Sequence, residues 1–426
     1  MALLVGLGTA LYHTGIRLAA PFVPKARAWV DGRKDLWQRL EKRSDELRGC
    51  LWMHCASVGE FEQGRPVLEA IKRERPELPV LLTFFSPSGY DARKDYPLAT
   101  HVEYLPPDSA ANARRLQQLI RPRAAIFIKY EFWYQHLHAL KEAAVPIYLV
   151  SAIFRSSQPF FTWYGAAYRG MLRCFDRLFV QDEASHELLS RIDVRNVSVS
   201  GDTRFDRVSQ IVATAKSDTA AADHLHLVMD RFRRAGARPV LVCGSTWPAD
   251  IRIIAGACST LSTPIRRVIV PHELHREELD RIGPLFLPEP LHRWSNIGLD
   301  RYTPGPVGTL LVDRMGYLSR LYAYADITYV GGGFGSGIHN TLEAAAWGKP
   351  VIFGPNHARF AEAQGLIDAG AGFSISTADE LRDVLQRLLG DDHALERASQ
   401  AARDYVTERT GATQRVSAVI LERLER

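Results

Sequence analysis

The sequence has little sulfur: five cysteines and five methionines in 426 residues. Cys50, Cys55, Cys174, Cys243 and Cys258 form no CxxC pair, and several lie inside apolar runs. That excludes a zinc ribbon or a disulfide framework and reads as buried thiols in a reducing compartment. No 20–50-residue repeat and no low-complexity tract is present, which excludes solenoids and arrays. No Asp-x-Asp run stands at a convincing strand end, so no metal-held diphosphate is called for. A long uninterrupted apolar run is missing too. The most apolar stretch, Met1 to Val23, is broken by Gly6, Gly8, Thr9, His13, Gly15 and Arg17. No basic residue precedes it and no clear cleavage site ends it, which argues against a signal peptide. Strong charge of one sign is absent as well. The net +5 is compatible with an anionic lipid, a nucleotide or a nucleic acid and selects none of them.

With 46% apolar and 24% charged residues, the chain is globular. Its length calls for two domains. Short apolar runs alternate with helical patterns. Leu51–Cys55, Val80–Phe84, Ala124–Lys129, Ile147–Ala152 and Arg177–Val180 come first, with helices over Phe61–Arg75 and Trp133–Ala143 between them. The stretch Gln210–Asp223 turns small and polar and is assigned as the inter-domain linker. A second series follows: Val240–Cys243, Val268–Val270, Thr309–Val312, Ile327–Val330 and Val351–Phe353. This alternation implies βαβ units and parallel sheets. The expected architecture is α/β, with an N-terminal segment over 1–24, one Rossmann-like domain over 25–212, a second over 213–405, and a C-terminal helix over 406–426 that returns to the first. In the N-terminal segment, Leu4, Leu7, Leu11 and Leu18 share one helical face and Thr9, His13 and Arg17 the other. Lys25, Arg27, Arg33 and Lys34 follow at once. The pattern fits a helix lying in a membrane interface with a cationic flank, and a buried core helix is the alternative.

Ligands of open parallel sheets sit at the carboxyl ends of the strands. The first strand is followed by His54-Cys55-Ala56-Ser57-Val58-Gly59-Glu60. Ser57 and Glu60 have capping-box spacing, so Glu60 is either a helix cap or a general base for an acceptor hydroxyl. Ser86-Pro87-Ser88-Gly89 ends the second strand as a plain helix start. Glu131, in Lys129-Tyr130-Glu131-Phe132-Trp133, is a second carboxylate at a strand end; stabilising a helix start is its other reading. In the second half, Gly244-Ser245-Thr246 is a short candidate phosphate seat. The run from Gly331 to Glu343 holds five glycines between a strand and a helix expected over Thr341–Trp347. It is neither GxGxxG with a following acid nor GxxxxGK[ST], so neither NAD binding nor ATP hydrolysis is supported. Glycines there let a backbone approach a phosphate closely, against the alternative of a bare flexible loop.

Taken in order, these pieces resemble the Kdo (3-deoxy-D-manno-octulosonic acid) transferases. The resemblance is carried by the N-terminal apolar segment, His54 with Ser57-Val58-Gly59-Glu60, Ser86-Pro87-Ser88-Gly89, Glu131-Phe132-Trp133, Gly201-Asp202-Thr203-Arg204-Phe205-Asp206, Gly244-Ser245-Thr246, Gly337-Ile338-His339-Asn340 through Glu343, and Gly354-Pro355. It implies a GT-B fold, two Rossmann-like domains with parallel sheets facing a central cleft. It further implies inverting transfer of Kdo from CMP-Kdo to a lipid A precursor of the lipid IVA type, without cofactor or metal. On this reading Glu60 is the base, with Glu131 as a second catalytic carboxylate. Arg204, Ser245, Thr246, Arg276, Gly337, His339, Asn340 and Glu343 bind the donor, and Ser57, Ser86 and Ser88 the acceptor. The expected partners are CMP-Kdo, the lipid A precursor and an anionic membrane surface, not nucleic acid. The expected location is the cytoplasmic face of the inner membrane. Two positions depart from the family pattern. Pro271-His272-Glu273-Leu274-His275-Arg276 replaces a PRHPER-like run, and Arg204 stands where lysine is common, exchanging a point charge for a planar fork. The rivals are another GT-B enzyme such as a nucleotide-sugar 2-epimerase, which gives no reason for the N-terminal segment, and a non-catalytic lipid-surface module, which gives none for the glycine run.

Overall fold

The computed structural model describes residues 2–217, 224–236, 238–299 and 302–425. The chain divides into two compact units. One runs through Arg207 and takes back the segment from Thr410 onward; the other is Val208–Arg409.

Unit 1 is built on seven parallel strands: β1 (Leu51–Cys55), β2 (Val80–Phe84), β3 (His101–Tyr104), β4 (Ala124–Ile128), β5 (Ile147–Ala152), β6 (Arg177–Val180) and β7 (Val197–Val199). Their order is β3-β2-β1-β4-β5-β6-β7. Leu51 pairs with Val80 on one side and Ala124 on the other, so the winding reverses between β1 and β4. β1, β2, β4 and β5 are buried along their whole length, as strands covered on both faces must be. One face packs under the helix Val58–Glu74 through Phe61, Val67, Leu68 and Ile71. Val416, Ile420 and Leu424 of the helix Ala412–Glu425 complete that same core. Asp206 fixes the start of this returning helix by accepting from the Gly411 and Thr413 amides.

Unit 2 repeats the plan with β8 (Val240–Thr246), β9 (Arg266–Pro271), β10 (Leu291–Arg293), β11 (Gly308–Leu311), β12 (Ile327–Val330), β13 (Val351–Phe353) and β14 (Gly372–Ser374). The order β10-β11-β9-β8-β12-β13-β14 reverses between β8 and β12. Both sheets therefore carry a topological switch point, the place where such sheets open a crevice beyond their strand ends.

Three expectations change. The linker expected over Gln210–Asp223 is helical as far as it is described, because the helix Thr203–Ser217 runs through its first part; residues 218–223 lie outside the described residues. The helix expected over Thr341–Trp347 is shorter, Leu342–Ala346. Arg33 is not a surface cation. Its guanidinium lies 3.9 Å from the centroid of the Trp29 ring and donates to the carbonyls of Trp29, Phe85 and Leu105. Burial pushes its pKa down to about 9.

The N-terminal helix, Ala2–Ala19, belongs to unit 1 and packs on it through His13, while Arg17 is exposed. His13 is buried and stacks on Trp29 at 5.3 Å, while Leu11 and Leu18 are exposed, as is Phe22 just beyond the helix. The side chains of Leu4, Leu7 and Thr9 lie outside the described set. Among the described residues, no helix is long and apolar enough to cross a membrane.

Candidate active site

At the switch point of unit 1, β1 and β4 deliver two carboxylates. Beyond β1, Ser57 caps the helix Val58–Glu74 by accepting from the Glu60 amide at 3.4 Å, and Glu60 turns back to accept from the Ala56 amide. Only the Ser57 half of the capping box is formed; the Glu60 side chain reaches one residue further, to Ala56, and this aims its carboxylate at the strand end. Burial, followed by the negative charge of Glu131, raises the Glu60 pKa from the ordinary 4.5 to about 7. A helix cap alone gains nothing from a carboxyl poised near neutrality. A general base does.

Beyond β4, Lys129 takes a left-handed backbone with φ 65°, strain of the kind stored at functional turns. The chain then turns Glu131 inward, where it is 7% exposed. Two donors converge on its Oε2: His54 Nε2 at 3.0 Å and Trp133 Nε1 at 2.6 Å. The other ring nitrogen of His54 lies 2.9 Å from the Thr83 hydroxyl, and Trp52 Nε1 donates to that same hydroxyl at 2.9 Å. A buried chain of polar side chains from three adjacent strands therefore holds Glu131 in one orientation. His54 Nδ1 also lies 3.1 Å from the Thr83 carbonyl, so both ring nitrogens are engaged. Sequence reasoning quoted His54 and Trp133 without giving them a role. Only pairing of β1 with β4 brings His54 to Glu131, 77 positions away.

Ser86 caps the helix Pro87–Arg93, accepting from the Gly89 amide at 3.1 Å, and the exposed Ser88 lies 3.4 Å from the Ser86 hydroxyl. Arg204 also belongs to unit 1. Its guanidinium is paired with the buried Asp202 at 2.7 Å, so it is oriented rather than loose.

At the switch point of unit 2, Ser245 has φ 51° and the β8–β9 register shifts between Gly244 and Thr246. This irregularity re-aims the chain just where β8 ends. Trp247, His272 and His339, from the ends of β8, β9 and β12, form one stack: Trp247 and His272 are 4.7 Å apart, and His272 and His339 4.3 Å. Trp247 Nε1 donates to His339 Nε2 at 3.0 Å, which leaves the proton of the neutral ring on Nδ1. Burial, reinforced by neighbouring His272, lowers the His339 pKa and keeps that ring neutral. Asp250 organises the turn below, accepting from the Trp247 amide, the Gly332 amide and the Tyr329 hydroxyl at 2.8–2.9 Å. The sequence signal for Asp250 was its position three residues after Trp247, a capping spacing not weighed because tryptophan is an unusual cap.

At two positions of the glycine run protein comes close to the backbone. A Cβ on Gly333 would meet the backbone of Gly354 at 2.6 Å, and one on Gly337 the Phe360 ring at 2.8 Å. These glycines let protein backbone pass close to protein. Asn340 and Glu343 are joined at 3.0 Å. Arg276 is exposed at the first residue of the helix Arg276–Ile282. Ser245, Thr246 and His339 thus gather at one strand end, and Arg276 stands apart at the end of β9.

Comparison with known proteins bears on both units. The family model described as 3-deoxy-D-manno-octulosonic-acid transferase (kdotransferase) matches residues 34–207, the span that holds both carboxylates. A 3-deoxy-D-manno-octulosonic acid transferase of Bordetella pertussis is 29% identical over 87% of this chain and 86% of its own length; that of Aquifex aeolicus is 26% identical over 80% and 86%. The chain is similar to Kdo transferases over four fifths or more of its length. It is a glycosyltransferase, and it transfers Kdo in lipopolysaccharide biosynthesis. Among solved structures, the UDP-GlcNAc 2-epimerase of Neisseria meningitidis matches with a TM-score of 0.60 at 17% identity, over 88% of this chain and 99% of its own. MurG of Acinetobacter baumannii matches with a TM-score of 0.56 at 13% identity over 88% and 99%. At such identities the likeness shows the fold alone, which is GT-B. Within this Kdo transferase, Glu60, Glu131 and His54 are the side chains that meet at the switch point of unit 1.

Proposed function

We propose that the donor is CMP-Kdo, that the acceptor is a lipid A precursor of the lipid IVA type, and that Glu60 is the base of a direct, inverting displacement. The observation that carries this reading is a carboxyl with a pKa near 7, next to a second, fixed carboxylate at a sheet's switch point. Glu60 takes the proton of the acceptor hydroxyl as that oxygen bonds to the anomeric carbon of Kdo. The bond from that carbon to the phosphate oxygen breaks, and CMP leaves with both electrons. Glu131 raises the basicity of Glu60 and, pinned by His54 and Trp133, does not swing away.

Ser245, Thr246, Gly337, His339, Asn340 and Glu343 are the proposed donor contacts in unit 2, with the Trp247–His272–His339 stack offering ring faces and the neutral His339 an Nδ1–H. Arg204 and Arg276 are the proposed cations for the departing phosphate. Ser57, Ser86 and Ser88 remain the proposed acceptor contacts. Exposed Leu11, Leu18 and Phe22, beside exposed Lys25 and Arg27, support a location on the cytoplasmic face of the inner membrane, with the N-terminal helix lying in the interface. Mass spectrometry of a reaction with CMP-Kdo and a tetra-acylated lipid A precursor tests the reading. The expected product carries added Kdo with release of CMP; no adduct from folded protein refutes it, and turnover of UDP-GlcNAc instead favours the epimerase.

A further inference from the structure

The loop between β5 and the helix Ala166–Leu172 turns aromatic side chains outward. Trp163 is 91% exposed, Tyr164 57%, and Tyr168, within that helix, 41%. Every other tryptophan of the chain is buried or half-buried. The loop is built, not loose. Phe160 is buried beneath it, its ring 4.8 Å from Phe132 and 5.6 Å from Phe154. Arg169 Nη1 donates to the carbonyls of Phe160 at 3.1 Å and Thr162 at 3.0 Å, and the Thr162 hydroxyl donates to that of Pro159 at 2.8 Å. A Cβ on Gly165 would strike the Pro159 carbonyl, so the turn closes tightly. Its charge is of one sign. No Asp or Glu occurs between Glu142 and Asp176, although the chain as a whole carries 48 in 426 residues, and Arg155 and Arg173 are exposed before and after the loop.

The loop is attached at the same end of the sheet as the N-terminal helix. Phe132, on which Phe160 packs, follows β4; Phe85, which Trp29 meets beneath His13, follows β2. In the strand order β2-β1-β4-β5, the strands that deliver Glu60 and Glu131 stand between β2 and β5, which lie three spacings or about 14 Å apart. The three exposed rings present about 400 Å² together, on the order of half of what one partner gives a stable protein–protein interface. A bilayer surface requires no such area or matching shape. It takes tryptophan and tyrosine at headgroup level and, when anionic, attracts arginine. We propose that the loop Pro159–Tyr168 is a second membrane contact, with Trp163 and Tyr164 seated among the headgroups of an anionic leaflet. One helix in the interface leaves a protein free to pivot about it. A second contact, beyond the carboxylates, fixes which edge of unit 1 faces lipid. The inference rests on the interfacial location proposed above and adds a contact that the N-terminal helix does not supply.

Since no other tryptophan is exposed, a quencher carried by lipid reports on this loop. Full-length protein is mixed with phosphatidylglycerol–phosphatidylethanolamine vesicles whose acyl chains are brominated. Tryptophan emission should fall on binding, and Trp163→Phe should lose most of that fall while binding within about twofold of wild type. The double change Trp163→Ser, Tyr164→Ser touches exposed side chains, so it should melt with wild type yet bind the vesicles about fivefold or more weakly. Its Kdo transfer to vesicle-embedded acceptor should fall, and its transfer to detergent-dispersed acceptor should not. Wild type that floats with vesicles without quenching overturns the loop and leaves the N-terminal helix as the contact. So does quenching that survives Trp163→Phe, or unchanged vesicle binding by the double variant. An equal loss on detergent-dispersed acceptor would make the loop an acceptor contact, and a dimer that the double variant dissociates would make it a protein interface; either overturns the proposal. Wild type that does not bind vesicles at all sinks the interfacial location, and the loop with it.

Discussion

Replacing Glu60 by glutamine separates the base from the cap, because glutamine keeps an oxygen for the Ala56 amide and loses the ability to take a proton. The structure sets the magnitude. Folding lifts the Glu60 pKa from 4.5 to about 7. Each unit is worth about 1.36 kcal/mol, so ionising Glu60 in the native protein costs about 3 kcal/mol of stability. The sign is that of an acid with a raised native pKa: its contribution is fully present below pH 4.5, and stability is lost as pH rises through about 7. Glu60→Gln has no such loss. At pH 5 the variant should be more stable than the wild type by only about 1 kcal/mol, whereas at pH 8 the difference should reach about 3 kcal/mol. Turnover should meanwhile fall by about two to four decades, the usual contribution of a general base, with CMP affinity intact. Urea unfolding followed by tryptophan fluorescence at both pH values, with a steady-state assay alongside, reads all three quantities. A stability difference that does not grow between pH 5 and pH 8 refutes the raised pKa. Near-normal turnover by the folded variant reduces Glu60 to a cap.

Glu131→Gln removes the negative charge that helps hold the Glu60 pKa up, so the acidic limb of the pH–rate profile should move to lower pH; an unmoved limb would show the two carboxyls to be uncoupled. Gly337→Val would drive its Cβ into Phe360 at a positive φ, so it should lower the melting point of unit 2. Gly335→Ala is the cleaner probe: its Cβ meets nothing closer than the Gly332 carbonyl at 3.6 Å, so the fold should be unchanged and any fall in CMP affinity by calorimetry reports the ligand itself. Asp250→Ala orphans three donors at about 1–3 kcal/mol each and should destabilise unit 2 by about 3 kcal/mol or more in denaturant unfolding. The triple change Leu11→Ser, Leu18→Ser, Phe22→Ser touches only exposed side chains and should leave the melting point alone, while vesicle flotation falls at least tenfold; undiminished flotation would put the membrane contact elsewhere.

The strands that could be read directly were continuous apolar runs. β1, β2, β5, β6, β12 and β13 lie where periodicity put them. β4, β8 and β11 differ from their apolar runs only by one to three residues at an end, and buried charge or brevity shaped the rest. β3 carries Glu103, fully buried because Arg39 pairs with it at 2.7 Å from 64 positions away, and no local pattern announces such a partner. β9 begins two residues before its apolar run because Arg266 and Arg267 are buried there, one stacked on Phe232, the other bonded to Thr309. β7, β10 and β14 are three-residue strands, too short for alternation to register. At the site, Glu60 and Glu131 were visible as carboxylates at strand ends, but what tunes them was not. The pairing of His54 with Glu131 and the stack of Trp247, His272 and His339 come from neighbouring strands in space, which one sequence does not list side by side.

The return of the chain to unit 1 carries a consequence for synthesis. The helix Val58–Glu74, which carries Glu60 in its first turn, rests its inner face partly on Val416, Ile420 and Leu424, residues made after the whole of unit 2. The first half of the protein to leave the ribosome therefore waits, with that side of its sheet uncovered, until the second half has been translated. Unit 2 draws its core from one continuous stretch and is free to fold in the meantime. A premature stop just after Arg409 would spare the later unit and strip part of the core of the earlier one, where Glu60 and Glu131 lie although their codons are hundreds of positions upstream.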